Sequence, residues 1–257
     1  MQPLQIRAVK AVPILDRTAP ELEKNVTDSD KSPGLPVELP GDPMHWADAW
    51  LKEATAGDVQ RNPNAMTIAS IGADGRPSAR VVLCKQFVPD PGYLVFYTNY
   101  QSRKGRELGA NSKAAALFHW DALGRQIRIE GVVVRSPASE SDAYFASRDW
   151  GSQLGAWGSD QSEAIESKKA LVAQIQQRAS DLGLSLGAGT QDLTDDHIPQ
   201  IERPPHWGGL RLWATEIELW MEGADRIHDR GRWSRQIIQT SEDHFTTTPW
   251  NSTRLQP

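Results

Sequence analysis

The sequence predicts a mainly β protein with flanking helices, an α+β fold whose consecutive strands form a barrel. Three observations support this. Short runs of alternating polar and apolar residues, separated by turn signals, fill residues 64–134. Helix-favouring stretches are few and flank these runs. The 257 residues are 39% hydrophobic, enough for one domain with a substantial core.

The amino-terminal segment differs from the rest of the chain. Residues 1–40 contain six prolines and no sustained hydrophobic period, which is typical of a mobile arm. Asp42 then offers an N-cap and Pro43 a first helical residue, so a helix is predicted to begin there. We expect an arm over 1–40 and a single domain over 41–257.

The remaining elements follow from local patterns. Period-two runs and turn residues predict the strands 65–71, 78–87, 93–98, 114–120, 126–134, 209–220 and 230–239. Helix-favouring residues predict the helices 104–111, 139–148 and 160–180. The glycine-, aspartate- and proline-rich stretch 183–205 is expected to be an irregular loop. No internal repeat is present.

Composition excludes several classes of function. A net charge of −5 gives no general attraction for nucleic acid, and no apolar run reaches the roughly 20 residues that cross a bilayer. The one cysteine, Cys84, cannot form an intramolecular disulfide, and no metal-ligand spacing occurs. Without a signal peptide, a soluble cytoplasmic protein is expected. Glycine-rich nucleotide motifs, a Walker loop and a nucleophile elbow are missing.

Residues 97–105 combine hydroxyl and cationic side chains where a predicted strand ends and a helix begins. Tyr97 and Thr98 supply hydroxyls, Arg103 and Lys104 supply charge, and the helix start supplies free backbone N–H groups. This pattern predicts a phosphate site. The alternative is a solvated helix start whose cations face water.

Two further groups of residues are candidates for binding an anion. Lys85 ends the predicted strand that contains Arg80 and can reach into a pocket, or else it faces solvent. Tyr144, Arg148 and Ser152 recur at steps of four, which puts the first two on one predicted helix face and suits a phosphate clamp. The alternative is a core tyrosine and a surface arginine.

Residues 226–230 form the last candidate cluster. Arg226 and His228 are expected on one strand face, with Ile227 opposite. A lone histidine is more often structural, but clustered charge is costly to bury without a partner, which favours contact with a ligand. Ten tryptophans could supply an aromatic floor for a cofactor, although most are expected in the core.

Taken together, these segments resemble the pyridoxamine/pyridoxine 5′-phosphate oxidases, from about residue 64 to the end of the chain. Five motifs in order carry the resemblance: 64–66, 80–85, 97–104, 152–162 and 226–230. The resemblance implies an FMN-binding split β-barrel that forms a homodimer, with FMN at the subunit interface. Each site would then draw residues from both chains.

The resemblance also implies which residues contact each ligand. Those for FMN are Arg80, Val81, Val82, Leu83, Cys84, Lys85, Tyr97, Thr98, Arg103, Lys104, Gln126, Gln161, Ser162, Trp220 and Arg230. Those for the phosphorylated B6 vitamer are Lys85, Tyr144, Arg148, Ser152, Arg226 and His228. Arg226 and His228 would act at the reacting end. Departures from the family pattern include Asp149, Asp160 and Cys84.

The reaction implied is oxidation of pyridoxamine or pyridoxine 5′-phosphate by O₂ to pyridoxal 5′-phosphate and hydrogen peroxide, with hydride transfer to the flavin. One alternative is a flavin oxidase of phenazine biosynthesis on the same barrel, which would oxidise a tricyclic carboxylate. Another is a non-catalytic protein that binds flavin or pyridoxal phosphate. Four convergent phosphate-binding groups favour the vitamer.

Overall fold

A curled sheet of nine strands forms the body of the protein. The computed structural model describes residues 34–184 and 201–257; residues 1–33 of the predicted arm and 185–200 of the predicted loop lie outside them. The strands are β1 Ala65–Ile71, β2 Pro77–Leu83, β3 Gln86–Val88, β4 Tyr93–Asn99, β5 Lys113–Trp120, β6 Arg125–Arg135, β7 Trp207–Met221, β8 Asp229–Ser234, β9 Ile237–Gln239, β10 Phe245–Thr247 and β11 Asn251–Leu255. Of these, β9 and β10 form a separate hairpin.

The sheet closes on itself through one bent segment. β2 pairs antiparallel with β1, and β3, which follows after a break at Cys84 and Lys85, pairs with β4. From β4 the pairing runs through β7, β6 and β5 back to β1. The predicted strand 78–87 is therefore two strands, each serving one side of the barrel. The mainly β fold with flanking helices, a split barrel, is confirmed.

β7 is the longest strand and organises the sheet. One edge pairs with β6 along its length, and the other is shared by β4 and β8 in turn. The register with β6 shifts between Glu130 and Gly131. A Cβ at Gly131 would lie 1.9 Å from the Trp213 carbonyl oxygen, so the close approach at this bulge requires glycine.

The apolar core lies inside the curled sheet. Its largest fully buried side chains include Trp120, Phe96, Phe118, Ile68, Ile127 and Ile129. Alternate residues of β1 and β5 point inward, as the period-two pattern predicts. Burying each such side chain contributes roughly 1.5–3 kcal/mol, which is the main source of stability.

In the described part of the chain, five α-helices flank the sheet: α1 Pro43–Ala56, α2 Arg103–Ala110, α3 Ala138–Ala146, α4 Trp150–Gly158 and α5 Lys168–Asp181. α1 begins as predicted, because the Asp42 carboxylate accepts a hydrogen bond from the Met44 N–H at 2.7 Å. Just before it, Leu35 and Leu39 pack on the core. Within residues 34–184 and 201–257, no helix combines the length and apolar character needed to span a bilayer.

Three sequence-based expectations were wrong in detail. The helix predicted over 160–180 begins only at Lys168, because Ser167 caps it and Ser162 has a φ of 79°, which a helix cannot contain. α4 was not predicted, since its three glycines lower helix propensity. Arg226 lies in a turn rather than on a strand face, with a φ of 63°.

Candidate functional site

A cavity of about 710 Å³ opens between the barrel and the segment that joins α3 to α4. This volume is within the roughly 300–1,000 Å³ typical of ligand sites. Eleven of the residues predicted to contact ligands line it: Val81, Val82, Leu83, Lys85, Tyr97, Thr98, Lys104, Tyr144, Arg148, Ser152 and Gln161. Residues from β2, β4, α2, α3 and α4 thus converge on one space.

Lys85 reaches the cavity from the break between β2 and β3. Asn64 holds Cys84, the residue before Lys85, by two hydrogen bonds. The Asn64 carbonyl accepts from the Cys84 N–H at 2.9 Å, and the Asn64 side-chain amide donates to the Cys84 carbonyl at 2.8 Å. The Lys85 N–H in turn donates to the Val95 carbonyl at 2.8 Å. The backbone is therefore rigid where the lysine departs. Its Nζ lies 5.8 Å from the centroid of the Tyr144 ring.

Lys104 brings a buried cation to the same cavity at the start of α2. Its side chain is only 9% exposed, and its Nζ donates to Thr98 Oγ1 at 2.9 Å and to Gln161 Oε1 at 3.2 Å. Both partners are neutral. Burial, and then the charge of Arg80, lower the pKa of Lys104. A buried ammonium group with neutral partners favours an anion beside it.

A buried carboxylate, Glu107, holds the two arginines next to Lys104. Its oxygens lie 2.9 Å from Arg80 Nη2 and 2.8 Å from Arg103 Nε, and both Ser70 and Ser78 donate their hydroxyls to it at 2.6 Å. Burial alone would raise the pKa of Glu107, but these four donors outweigh it and lower the pKa to about 2. Glu107 is therefore ionised. Arg80 points toward this carboxylate, while Arg103 is 61% exposed.

Aromatic rings form one wall of the cavity. Tyr97 stacks on Tyr144 with centroids 3.8 Å apart and on Trp207 at 5.4 Å. The Arg148 guanidinium lies 4.6 Å from the Trp207 ring. Its Nη1 is buried without a hydrogen-bond partner among the described residues. Such an orphaned charged donor is costly, so this arrangement is suited to an acceptor from a ligand.

Asp149 places a carboxylate in the cavity beside these cations. It caps α4: its Oδ1 accepts from the Ser152 N–H at 2.9 Å, and its Oδ2 accepts from the Ser152 hydroxyl at 2.8 Å. The hydrogen bonds from Ser152 are the main reason that the pKa of Asp149 is lowered. The cavity is thus lined by Tyr144, Arg148 and Ser152 together. They do not share the one continuous helix face that was expected, because α3 ends before Arg148.

The other predicted residues form a second cluster at the far end of β7. Gln126 pairs in register with Trp220, and Trp220 with Arg230, so the three side chains lie across neighbouring strands. The His228 ring lies 4.6 Å from the Trp220 ring, and its Nδ1 accepts from the Gly223 N–H at 3.2 Å. In the neutral state, the His228 proton is therefore on Nε2.

Arg226 stands in the turn before His228 and is exposed. Both Asp225 and Arg226 have positive φ values, 54° and 63°, a conformation that costs of order 1–3 kcal/mol for such residues. The turn is tight, because a Cβ at Gly223 would lie 1.9 Å from the Ile227 carbonyl oxygen. Held strain of this kind is common at functional sites.

The two clusters are far apart within one chain. Trp207 at the cavity and Trp220 in the second cluster are thirteen residues apart on β7, and within the described part of the chain no residue of the second cluster lines the cavity. One subunit therefore does not bring all the predicted residues together. Those outside the cavity are Arg80, Cys84, Arg103, Gln126, Ser162, Trp220, Arg226, His228 and Arg230.

The structure also places residues that were not among the predicted ligand contacts. Asp149, Gly155 and Ser159 line the cavity. Glu107 lies four residues after Arg103, a spacing that suggests a helical ion pair but not its burial. Glu218, 3% exposed, holds Arg230 at 2.8 Å as Glu107 holds Arg103.

Comparisons with known proteins agree with this architecture. Residues 52–180 match the family described as pyridoxamine 5′-phosphate oxidase, and residues 207–257 match the pyridoxine 5′-phosphate oxidase C-terminal dimerisation region. The chain is 46% identical over 221 residues to the pyridoxine/pyridoxamine 5′-phosphate oxidase of Burkholderia lata, covering 86% of this chain and 92% of that protein. It is 42% identical to the Paraburkholderia xenovorans enzyme of the same name, covering 92% and 98%.

Two solved structures share the fold. PhzG from Burkholderia lata, in complex with tetrahydrophenazine-1-carboxylic acid, superposes with a TM-score of 0.67 at 29% identity, over 88% of this chain and all of that one. A pyridoxamine 5′-phosphate oxidase-related, FMN-binding protein from Nostoc punctiforme has a TM-score of 0.57 at 16% identity, covering 86% and 100%. From its barrel, its cationic cavity and these matches, the chain belongs to the pyridoxamine/pyridoxine 5′-phosphate oxidase family.

Proposed function

We propose that the protein is an FMN-dependent oxidase that converts pyridoxamine and pyridoxine 5′-phosphate into pyridoxal 5′-phosphate, with O₂ reduced to hydrogen peroxide. It works as a homodimer in the cytoplasm, with FMN at the subunit interface. The relatives that carry this enzyme name cover almost the whole domain, which supports the proposal.

One observation carries the proposal furthest. Among the described residues, none of the three cations of the cavity, Lys85, Lys104 and Arg148, lies within ion-pair distance of a carboxylate. Lys104 is buried, Arg148 is half-buried and has an orphaned donor, and Lys85 is exposed. Unpaired cations are tolerated in such a place when a ligand supplies the opposite charge. The cavity is therefore suited to ligands with phosphate groups.

The residues at the start of α2 fit the phosphate of FMN. Arg103 keeps its terminal nitrogens free while Glu107 fixes its Nε, and Lys104 is held by Thr98 and Gln161. The helix N-terminus adds its own attraction for an anion. Bound there, FMN would accept the electrons taken from the substrate carbon and return them to O₂.

The remaining cavity residues are assigned to the substrate. Arg148 and Lys85 would neutralise its phosphate, and Ser152 would donate a hydrogen bond to it. Tyr144, stacked on Tyr97, would position the pyridine ring. Fixing both ends of the substrate relative to the flavin converts the oxidation into an effectively intramolecular step.

Arg226 and His228 are assigned to the reacting end of the substrate, from the partner subunit. The separation of the two clusters along β7 supports this assignment, because the turn at 223–228 contributes no residue to the cavity of its own chain. The match of residues 207–257 to a dimerisation region supports it as well. The Nε2 proton of His228 would then orient a polar group of the substrate.

A second candidate function is oxidation of a tricyclic carboxylate, as the ligand of PhzG suggests. The stack of Tyr97, Tyr144 and Trp207 favours a flat aromatic ligand of either class. Three cations exceed what a single carboxylate needs, so the phosphorylated vitamer is preferred. A third candidate, a protein that binds flavin without turnover, keeps the cavity but predicts no peroxide.

The test is an absorbance spectrum of the purified protein, followed by addition of pyridoxamine 5′-phosphate in air. A flavin spectrum with formation of pyridoxal phosphate and equimolar peroxide supports the proposal. Flavin without product would favour the phenazine-type or the non-catalytic alternative. Adding tetrahydrophenazine-1-carboxylic acid as substrate would distinguish these two, since only the phenazine-type enzyme would oxidise it. Failure to bind FMN on reconstitution would contradict all three.

A further inference from the structure

The cationic end of the cavity contains one residue that opposes its charge. Asp149 lines the cavity together with Lys85, Arg148 and Ser152, yet no oxygen of it lies within 4.0 Å of a lysine or arginine nitrogen among the described residues. Its carboxylate is directed to Ser152 instead, accepting from both the backbone N–H and the hydroxyl. The Ser152 hydroxyl, which the proposed function assigns to the substrate phosphate, is therefore already donated.

We propose that Asp149 lowers the affinity of the cavity for the anionic group of the substrate and so moderates its preference for phosphorylated over uncharged ligands. This inference rests on the proposed function, since it concerns the phosphate end of the same site. Ser152 has a single hydroxyl proton, which cannot serve the Asp149 carboxylate and a ligand phosphate at once. Binding of a phosphate thus requires the hydroxyl to turn away from Asp149.

The negative charge of Asp149 also opposes the binding of a phosphate. A phosphate oxygen within hydrogen-bond distance of Ser152 Oγ lies no more than about 5.8 Å from Asp149 Oδ2, because the two side-chain oxygens are 2.8 Å apart. Asp149 is exposed, so water screens the repulsion, which still lowers affinity by about 10-fold. The repulsion from Asp149 and the attraction to Lys85 and Arg148 both grow with the charge of the ligand. Asp149 therefore weakens binding of a phosphate most and leaves a neutral ligand unaffected, which narrows the preference of the cavity for phosphorylated ligands.

The substitution Asp149→Asn tests the charge and spares the helix. Asparagine is as good an N-cap as aspartate, so α4 is expected to keep its start, and its amide oxygen can still accept from Ser152. Asp149→Ser is a second variant with a capping side chain and no charge. Glu166→Gln, at an exposed position outside the cavity, is the matched control for the loss of one negative charge.

The measurement is calorimetric titration of the FMN-reconstituted protein with 4-deoxypyridoxine 5′-phosphate and with 4-deoxypyridoxine, which are not oxidised. We expect both Asp149 variants to bind the phosphate ester about 10-fold more tightly than wild type and the control variant do, with the phosphate-free ligand unchanged. Unchanged or weaker binding of the ester would overturn the inference, and so would equal tightening of both ligands or no binding by any variant.

The outcomes separate this inference from the proposed function. Tighter ester binding in the variants, in a protein that forms no peroxide from pyridoxamine 5′-phosphate, would leave the role of Asp149 standing and remove the oxidase activity. Normal peroxide formation with no effect of Asp149→Asn on ester binding would leave the oxidase activity standing and remove the role of Asp149. In an active enzyme, the variant is expected to lower KM for the phosphorylated substrate and to change kcat little.

Discussion

Replacing Glu107 by glutamine is expected to destabilise the protein and loosen its flavin site. The fall in the pKa of Glu107 from 4.5 to about 2 corresponds to about 3 kcal/mol of stabilisation at neutral pH, at roughly 1.4 kcal/mol per pKa unit. Glutamine keeps the shape and can accept from Ser70 or Ser78, but loses its charge toward Arg80 and Arg103. We therefore expect a loss of about 2 kcal/mol, which agrees with the roughly 1.5–3 kcal/mol of a charged hydrogen bond.

The stabilisation that Glu107 contributes is expected to depend on pH. Because folding lowers the pKa of Glu107, its stabilisation is complete well above pH 4.5 and is lost as pH falls toward about 2. Urea unfolding at pH 7 and at pH 3 should show the gap between wild type and Glu107→Gln narrowing from about 2 kcal/mol to near zero, because protonation of Glu107 removes about 2 kcal/mol of its stabilisation between these pH values. Glu163→Gln, which breaks an exposed ion pair, should cost under about 1 kcal/mol. A gap below about 0.5 kcal/mol at pH 7, or one that does not change with pH, would refute the reasoning.

Three further expectations follow from single positions. Gly223→Ala should lower kcat at least about 10-fold in steady-state assays, since its Cβ would meet the Ile227 carbonyl and displace the turn. The control Gly109→Ala, with open space around it, should leave kcat unchanged and should be neutral or stabilising in thermal unfolding. Arg226→Ala should reduce turnover much more than flavin occupancy and Arg103→Ala the reverse, as kinetics and flavin absorbance would show; equal losses of both would contradict the assignments. Burial raises the pKa of Cys84 to about 12, so a thiol reagent at pH 8 should modify it only in urea, and rapid labelling of the native protein would count against its burial.

Much of the fold was predictable because its strands alternate strictly. β1 was predicted with its observed bounds, since the turn 72–75 ends it and every second residue is buried. α1 was predictable from its aspartate cap and following proline. The helix placed over 160–180 failed where composition favoured a helix but Ser162 adopted a positive φ. Composition averages over a window, while one left-handed residue ends a helix.

Some of the residues predicted to contact ligands do line one cavity, but the geometry of that cavity could not be predicted from the sequence. Lys85, Tyr144, Arg148 and Ser152 were grouped from the motifs, and they do line one cavity. The role of Glu107 could not be inferred, because its four donors come from β1, β2 and α2, and only the fold brings them together. The separation of the Arg226 turn from the cavity within one chain also depends on the length of β7.

The break between β2 and β3 links barrel closure to ligand binding. The same short backbone joins the two sides of the sheet and carries Lys85, and its N–H groups at Cys84 and Lys85 are bonded to Asn64 and Val95. Opening of this seam would withdraw the lysine from the cavity. By mass action, an anion bound to Lys85 stabilises the closed seam. The free energy of this stabilisation equals the free energy of anion binding that is lost when the seam opens. Binding of an anion by Lys85 and closure of the seam are therefore coupled, and amide exchange at the seam is expected to slow when an anion is bound.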